Sequence, residues 1–219
     1  MKTTALQRLF VFWFILIFVL LGYSGSPQQD TTSDQLQKRN GLYYEKDSKK
    51  PYTGRVVDTK PYGTIKATYK DGKLDGPFNT WHKNGKKMQE CIYKDGKIEG
   101  KTTSWHSNGQ KDSVTIFKDG KKVGKWTSWH KNGKKRREVT FKDGKPTALM
   151  TEWHDNGKKA LEMTHTAWVD GKMTGTTTST SWHRNGRKAQ KVTYIDGNMI
   201  SILSWDSNGN VIKNEKATD

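Results

Sequence analysis

A regular row of imidazoles runs through the chain, because five of its six histidines directly follow a tryptophan. The pairs are Trp81-His82, Trp105-His106, Trp129-His130, Trp153-His154 and Trp182-His183. In a hairpin repeat, equivalent residues lie two strands apart, which is about 9.5 Å. Zinc ligands must each lie about 2 Å from one ion. Adjacent histidines of the row therefore cannot share a metal, and the sequence predicts no metal site and no cofactor.

Two other sets of residues are candidate binding groups. A row of tryptophans flanked by lysines could stack sugar rings or bases, and packing within the sheet is the alternative explanation. The densest basic cluster is a candidate contact for phosphate or carboxylate groups, although a strand would send its side chains to alternate faces. The candidate binding residues are Trp81, Trp105, Trp129, Trp153, Trp182, Lys134, Lys135, Arg136 and Arg137.

Catalytic patterns are not evident in the sequence. Carboxylates are scattered over polar strand positions, and no G-x-S-x-G motif places a serine on a nucleophile elbow. Cys91 is the single cysteine, and Thr115 and Val139 occupy its position in the next two repeats. A packing role is therefore expected for Cys91. We expect a protein that is not an enzyme.

Asp-Gly and Asn-Gly pairs alternate along the chain, and the central units repeat every 24 residues. Both dipeptides suit two-residue type I′ turns, in which both central residues have positive φ. Between the turns lie residues that favour strands of about ten residues. The sequence therefore predicts an all-β fold, an elongated single-layer antiparallel β-meander of hairpin repeats. Its central turns are Asn84, Gly85, Asp95, Gly96, Asn108, Gly109, Asp119, Gly120, Asn132 and Gly133.

Two-residue turns also predict the register of the strands. Trp81 would lie opposite Met88, Phe78 and Gly100 opposite Cys91, and Tyr93 opposite Ile98, so that both faces carry apolar residues. Glycines within the strands suggest bulges or bends. They are Gly76, Gly100, Gly124 and Gly175, and Ala148 and Ser201 take the same place in two other units. A small side chain, rather than a positive φ, is therefore the expected requirement there.

The repeat unit DGKIEGKTTSWHSNGQK, from Asp95 to Lys111, resembles the variant MORN repeat of bacterial proteins. The arrangement over roughly residues 41–210 resembles the YwqK-type family of toxin–antitoxin antitoxins, including its opening segments GLYY at 41–44 and PYTG at 51–54. The resemblance implies a β-meander and a protein-binding role. It also implies the membrane association of other MORN repeats, and no catalytic residues.

The N-terminal residues have the order of a secretory signal peptide. Met1–Arg8 is basic, Leu9–Leu21 is apolar, and small and polar residues follow, with cleavage expected after Ser24. An uncleaved signal-anchor is the alternative, although thirteen apolar residues are short for a membrane span. Either case predicts an extracytoplasmic protein that is periplasmic, secreted or membrane-anchored.

The predicted domain organisation has five parts. They are a signal peptide or signal-anchor at 1–24, a polar linker at 25–40, a degenerate lead-in repeat at 41–70, MORN-like hairpin repeats at 71–210 and a polar tail at 211–219.

The formal net charge of +17 indicates anionic partners, or lysines that keep flat strands soluble and their edges unpaired. We expect a repeat scaffold of the bacterial cell envelope that binds a protein, an anionic lipid or a polysaccharide. The alternative is an antitoxin or immunity protein that neutralises a toxin by direct binding. An extracytoplasmic location argues against nucleic acid as the ligand. Exposed terminal strands could also join copies of the chain into a homo-oligomer.

Overall fold

The computed structural model describes residues 30–169 and 172–217, which form an almost entirely β structure. The leader predicted at 1–24 lies outside the described residues. A 3-10 helix, Ser33–Gln35, precedes the strands. The strands are β1 (Leu36–Arg39), β2 (Leu42–Glu45), β3 (Gly54–Lys60), β4 (Gly63–Lys70), β5 (Lys73–His82), β6 (Lys87–Lys94), β7 (Lys97–Trp105), β8 (Lys111–Lys118), β9 (Lys121–Trp129), β10 (Lys135–Lys142), β11 (Lys145–Trp153), β12 (Lys159–Val169), β13 (Lys172–Trp182), β14 (Lys188–Ile195), β15 (Asn198–Trp205) and β16 (Val211–Lys216).

One antiparallel sheet contains β3 to β16, and its strands follow one another in sequence order without a crossover. Among the described residues, the strands of this sheet contact one another extensively only when they are neighbours in it, so the sheet is a single layer. Strands β1 and β2 form a separate hairpin. The predicted single-layer antiparallel β-meander of hairpin repeats is confirmed.

The Asp-Gly turns have the predicted conformation. Asp95 and Gly96 have φ values of 49° and 82°, and Lys94 pairs with Lys97 across the turn. The same two-residue type I′ turn recurs at Asp119-Gly120. Asp-Gly suits this turn because aspartate tolerates the left-handed region better than most residues, and glycine enters it without steric cost.

The Asn-Gly turns differ from the prediction. Gly85 has a positive φ of 79°, whereas Asn84 does not. The Gly85 amide donates to the His82 carbonyl, and the His82 amide donates to the Lys86 carbonyl. This is a three-residue loop in which the glycine forms a bulge. The predicted two-residue loops at Asn84-Gly85, Asn108-Gly109 and Asn132-Gly133 are therefore wrong, since only the glycine of each pair has positive φ.

This longer turn changes the register near the Asn-Gly edge. Trp81 pairs with Lys87 instead of Met88, and a bulge follows before Thr80 pairs with Gln89. Farther from the turn the predicted register is confirmed, because Phe78 pairs with Cys91. Tyr93 also pairs with Ile98 as predicted.

The glycines within the strands form bulges that depend on positive φ. Glu90 pairs with Thr103 but Ile92 pairs with Glu99, so β7 carries extra residues around Gly100 and Cys91 does not pair with it. The φ values of Gly76, Gly100, Gly124 and Gly175 are 112°, 74°, 66° and 69°. The expectation that a small side chain matters more than positive φ is therefore wrong at these four positions.

The two faces of the sheet have different compositions. The first, which we call the core face, carries the buried hydrophobic strand residues Val56, Ala67, Cys91, Val139 and Val192. The opposite face, which we call the ladder face, carries the tryptophan row. The main apolar cluster lies at the N-terminal end of the core face, where Tyr52, Val56 and Ala67 pack with Leu36, Tyr69, Leu74 and Phe78.

The first and last strands of the sheet end it in different ways. Thr31 forms a parallel bridge beside β3, donating to the Arg55 carbonyl and accepting from the Val57 amide, each at 2.9 Å. At the other end, β16 forms within the segment expected to be a polar tail, and the described residues place no strand on its outer side. Val211 and Ile212 of β16 are 58% and 67% exposed.

Replacing Gly96 by alanine tests the type I′ turns. A Cβ atom at Gly96 would meet only the Lys73 Cβ atom, at 3.9 Å, so the cost comes from φ rather than from a clash. We expect Gly96→Ala to lower the free energy of unfolding by about 1–2 kcal/mol, measured by urea denaturation. Gly96→Asn should lose less, because asparagine enters the left-handed region more readily. Equal losses in both variants and in the exposed-site control Ser107→Ala would contradict this account.

Candidate functional site

The histidines of the Trp-His pairs join successive turns along one edge of the sheet. Each Nε2 atom lies 2.8–2.9 Å from the tryptophan carbonyl oxygen of the next turn. The bonded pairs are His82 with Trp105, His106 with Trp129, His130 with Trp153, His154 with Trp182 and His183 with Trp205. Because a carbonyl oxygen only accepts, Nε2 carries the hydrogen. These nitrogens are thus committed to the fold and are not free to bind a metal.

The asparagines and lysines of the same turns extend this hydrogen bonding. Asn84 Nδ2 donates to the Ser107 carbonyl at 2.8 Å, and Asn132 Nδ2 donates to the Asp155 carbonyl at 2.6 Å. Lys134 Nζ then donates to the Asn156 carbonyl at 2.8 Å. We call these side-chain bonds between successive turns the turn network. It explains why histidine, asparagine and lysine recur together, whereas each tryptophan contributes only its backbone carbonyl.

On the ladder face, a lysine lies between each pair of successive tryptophans. Lys87 pairs in register with Trp81, and its Nζ atom lies 5.8 Å from the centroid of the Trp105 ring. The Nζ-to-centroid distance is 5.0 Å between Lys159 and Trp182. The tryptophan–lysine ladder consists of Trp81, Lys87, Trp105, Lys111, Trp129, Lys135, Trp153, Lys159, Trp182, Lys188 and Trp205.

The tryptophan rings of the ladder are partly exposed. Ammonium groups stabilise five of these rings by cation–π attraction, namely those of Trp81, Trp105, Trp153, Trp182 and Trp205. Five of these tryptophans and Lys135 were predicted from the sequence as binding residues, whereas Trp205 and the other four ladder lysines were not. The signal was present, because each such lysine follows the glycine of an Asn-Gly pair by two residues.

Glutamates neutralise three of the ladder lysines. Lys87 forms an ion pair with Glu90, Lys135 with Glu138, and Lys159 with Glu162. Lys125 also lies 3.0 Å from Glu138. Partial burial works to raise the pKa of Glu138, but hydrogen bonds from Lys135 and Lys125 hold that pKa below its ordinary value. Lys111 and Lys188 have no carboxylate within 4 Å among the described residues.

The four residues of the predicted basic cluster, Lys134, Lys135, Arg136 and Arg137, lie in different parts of the structure. Lys134 belongs to the turn network, and Lys135 to the ladder. Arg136 is exposed at the bulge beside the turn. Arg137 lies on the core face, where it contacts Met150. The structure therefore does not bring these four residues together as one site.

Neither a metal centre nor a reactive thiol is built from the described residues. They contain no group of three or more His, Cys, Asp or Glu side chains that could hold a metal ion. Cys91 is buried, and this burial, with a smaller effect from the Glu90 charge, raises the pKa of its thiol to about 11. A thiol with this pKa is a packing group rather than a nucleophile at neutral pH.

A cavity that the sequence did not predict opens on the core face, with a volume of about 470 Å³. It is lined by Lys122, Trp126, Arg137, Val139, Phe141, Pro146, Thr147, Met150, Met163 and His165. The sequence signal was Trp126, a large aromatic residue at a position where the preceding repeat has Thr102.

Residues 74–95 and 122–143 match the MORN repeat variant family. The first match spans strands β5 and β6 and the turn between them. The second spans the equivalent hairpin of β9 and β10. The turn network recurs in the hairpins between and beyond them, so the same structural unit continues outside the matched residues. No curated protein matches the chain. The described part of the chain contains no helix of the length and apolarity that a membrane span requires.

Removing one imidazole tests the turn network. We expect His130→Leu to lower the free energy of unfolding by about 1 kcal/mol or more, because the partly buried Trp153 carbonyl loses its donor. His130→Gln retains a donor and should lose less. Lys131→Ala is the matched control, since the neighbouring Lys131 contributes only its carbonyl to the network. Equal urea midpoints for all three variants would show that the imidazole does not stabilise the edge.

Proposed function

We propose that this chain is a non-enzymatic repeat scaffold that binds an extended anionic polysaccharide through the tryptophan–lysine ladder, outside the cytoplasm. The β-meander and the two MORN repeat variant matches support a scaffold. The single observation that carries the proposal is the ladder itself, a row of partly exposed indole rings alternating with ammonium groups.

Charge favours an anionic ligand. The chain has a formal net charge of +17. The ladder ammonium groups of Lys111 and Lys188 have no carboxylate partner among the described residues and are exposed. A polyanion would supply these partners along the row, and its attraction to the protein would weaken as salt screens the charges.

Repetition favours a polymer over a small ligand. Successive ladder tryptophans lie two strands apart, at about 9.5 Å for ordinary strand spacing. One indole and one lysine give weak binding, but several equivalent contacts on a single chain raise the effective concentration at each further site. Sugar rings present apolar faces that can stack on the indoles. The carboxylates or phosphates of the polymer would contact the lysines.

The N-terminal leader sequence supports a location outside the cytoplasm. The basic, apolar and small-residue segments at 1–24 have the order of a signal peptide or signal-anchor, and either would place the repeats in the cell envelope or outside it. Envelope polymers are accessible in that compartment, whereas nucleic acid is not an ordinary ligand there.

The test is binding of the chain to polygalacturonate, with neutral dextran for comparison, at low and high salt. We expect binding to polygalacturonate at low salt that falls as salt rises, and none to dextran. Neutralising the ladder with Lys111→Ala and Lys188→Ala together should weaken binding at least tenfold, which corresponds to about 1.4 kcal/mol.

The matched control is the double variant Lys121→Ala and Lys145→Ala. It removes the same charge from exposed lysines beside the Asp-Gly turns, at the other edge of the sheet. Equal loss in both double variants would mean that net charge, and not the ladder, drives binding. Binding only to vesicles containing phosphatidylglycerol would favour an anionic membrane surface instead.

A second candidate function is binding of a protein, whether a toxin or another copy of the chain. The observation that favours it is the outer edge of β16, where Val211 and Ile212 are exposed and the described residues place no strand. Such an edge can accept a strand from a partner. If two copies paired their β16 strands antiparallel about Asn214, Lys213 of each copy would lie opposite Glu215 of the other.

Self-association is the measurable form of this candidate. We expect sedimentation of the chain to show dimers whose population rises with protein concentration. The variant Ile212→Lys should remain monomeric, because it places a charge on the open edge. A monomer at all concentrations would mean that the edge can bind only a different protein. Equal dimerisation of the unmodified chain and the Ile212→Lys variant would exclude the β16 edge as the dimer interface.

A further inference from the structure

We propose that the cavity on the core face binds a small organic carboxylate with an apolar body, of the medium-chain alkanoate class. The alkyl chain would occupy the cavity, and the carboxylate would contact the Lys122 ammonium. This site lies on the opposite face from the tryptophan–lysine ladder and does not depend on the function proposed for the ladder.

The walls of the cavity come from one row of residues across four strands. Val139 pairs in register with Trp126 on one side and with Met150 on the other, and Met150 pairs with Met163. Val139 is only 5% exposed and lies between larger neighbours. Methionine side chains adapt to ligands of varied shape. The volume of about 470 Å³ lies within the range of small-molecule sites.

Phe141 continues the apolar wall toward the Asp-Gly edge. Lys122 is the cation that closes this end, with its Nζ atom 5.2 Å from the Phe141 ring centroid and 5.5 Å from that of Trp126. Among the described residues, no carboxylate lies within 4 Å of this ammonium group. It is therefore a partly buried positive charge at the mouth of an apolar cavity.

The other ionisable groups that line the cavity do not neutralise the positive charge of Lys122. The Arg137 Nε atom lies 3.1 Å from Glu152 Oε1, and the guanidinium also donates to the Met150 sulfur, so this pair is close to neutral as a unit. Burial lowers the pKa of His165, which favours its uncharged form. The net charge of the cavity is thus positive and selects an anion over a cation.

The cavity is specific to this part of the sheet. Trp126 and Met150 stand six residues after the glycines of their Asp-Gly turns, and only here do two successive hairpins both have a large side chain at that position. The hairpins on either side have Thr102 and Thr177 there, and Phe78 and Leu203 occupy it farther away. Threonine side chains would leave a flat surface with little apolar area. The ladder repeats with every unit, but the large side chains that enclose this cavity do not.

The test uses the full chain with ¹³C-labelled methionine methyl groups. Met150 and Met163 line the cavity, while Met88 and Met199 lie elsewhere and serve as internal controls. We expect decanoate, added below its micelle concentration, to shift the methyl resonances of Met150 and Met163 in a saturable manner and to leave those of Met88 and Met199 unchanged. Decylamine should produce much smaller shifts at the same concentration.

Variants separate the charge from the cavity. Lys122→Met should weaken decanoate binding at least about tenfold, as expected for loss of a charge-assisted contact, and leave decanol binding unchanged. Lys122→Arg should retain decanoate binding. Lys188→Met, which removes a charge from the ladder face, should bind decanoate like the unmodified chain. Unchanged Met88 and Met199 resonances report that each variant is folded.

Three results would overturn the proposal. The first is the absence of saturable shifts at Met150 and Met163 with decanoate. The second is binding of decylamine as tight as that of decanoate, which would mean that Lys122 does not favour an anionic ligand over a cationic one. The third is equal decanoate binding by Lys122→Met and Lys188→Met.

Discussion

Hydrogen bonds from histidine Nε2 to the tryptophan carbonyl of the next turn are the interaction on which the repeat depends. A single-layer sheet buries little apolar area, and its buried strand residues are mostly small. Stability must therefore come from contacts between neighbouring hairpins, as in other repeat proteins. The turn network provides such contacts at every repeat along one edge, while bonds such as that from the Gly96 amide to the Leu74 carbonyl join hairpins at the other edge.

Because the turn network lies along the edge of the sheet, both faces remain available for binding ligands. The ladder face is periodic, with lysines beside every tryptophan and glutamates beside some of the lysines, and suits a ligand that is itself repetitive. The core face is irregular. Its main apolar cluster lies at the N-terminal end, and a second group of large side chains lines the cavity formed by β9, β10, β11 and β12. A repeated fold can thus carry a repeated surface and a unique cavity without conflict, since the residues that define the fold lie at the turns and bulges.

The sequence predicted the meander and the Asp-Gly turns well, because the left-handed conformation of Asp95 and Gly96 restricts which residues can occupy them. The Asn-Gly turns were predicted less well. The Asn84 Oδ1 atom accepts from the Lys86 amide at 3.1 Å, a local bond that accompanies a longer loop and leaves only Gly85 in the left-handed region. The cavity could not be predicted, since Trp126 and Met150 are placed on either side of Val139 only through a register that the bulges determine.

The most direct test of the turn network is NMR of the imidazole nitrogens of the chain. We expect each Nε2 atom of the row to carry a slowly exchanging hydrogen, with couplings across the hydrogen bond to the facing carbonyl, and zinc to leave these signals unchanged. The row consists of His82, His106, His130, His154 and His183. Rapid exchange of the Nε2 hydrogens, or zinc-dependent shifts along the row, would contradict this expectation.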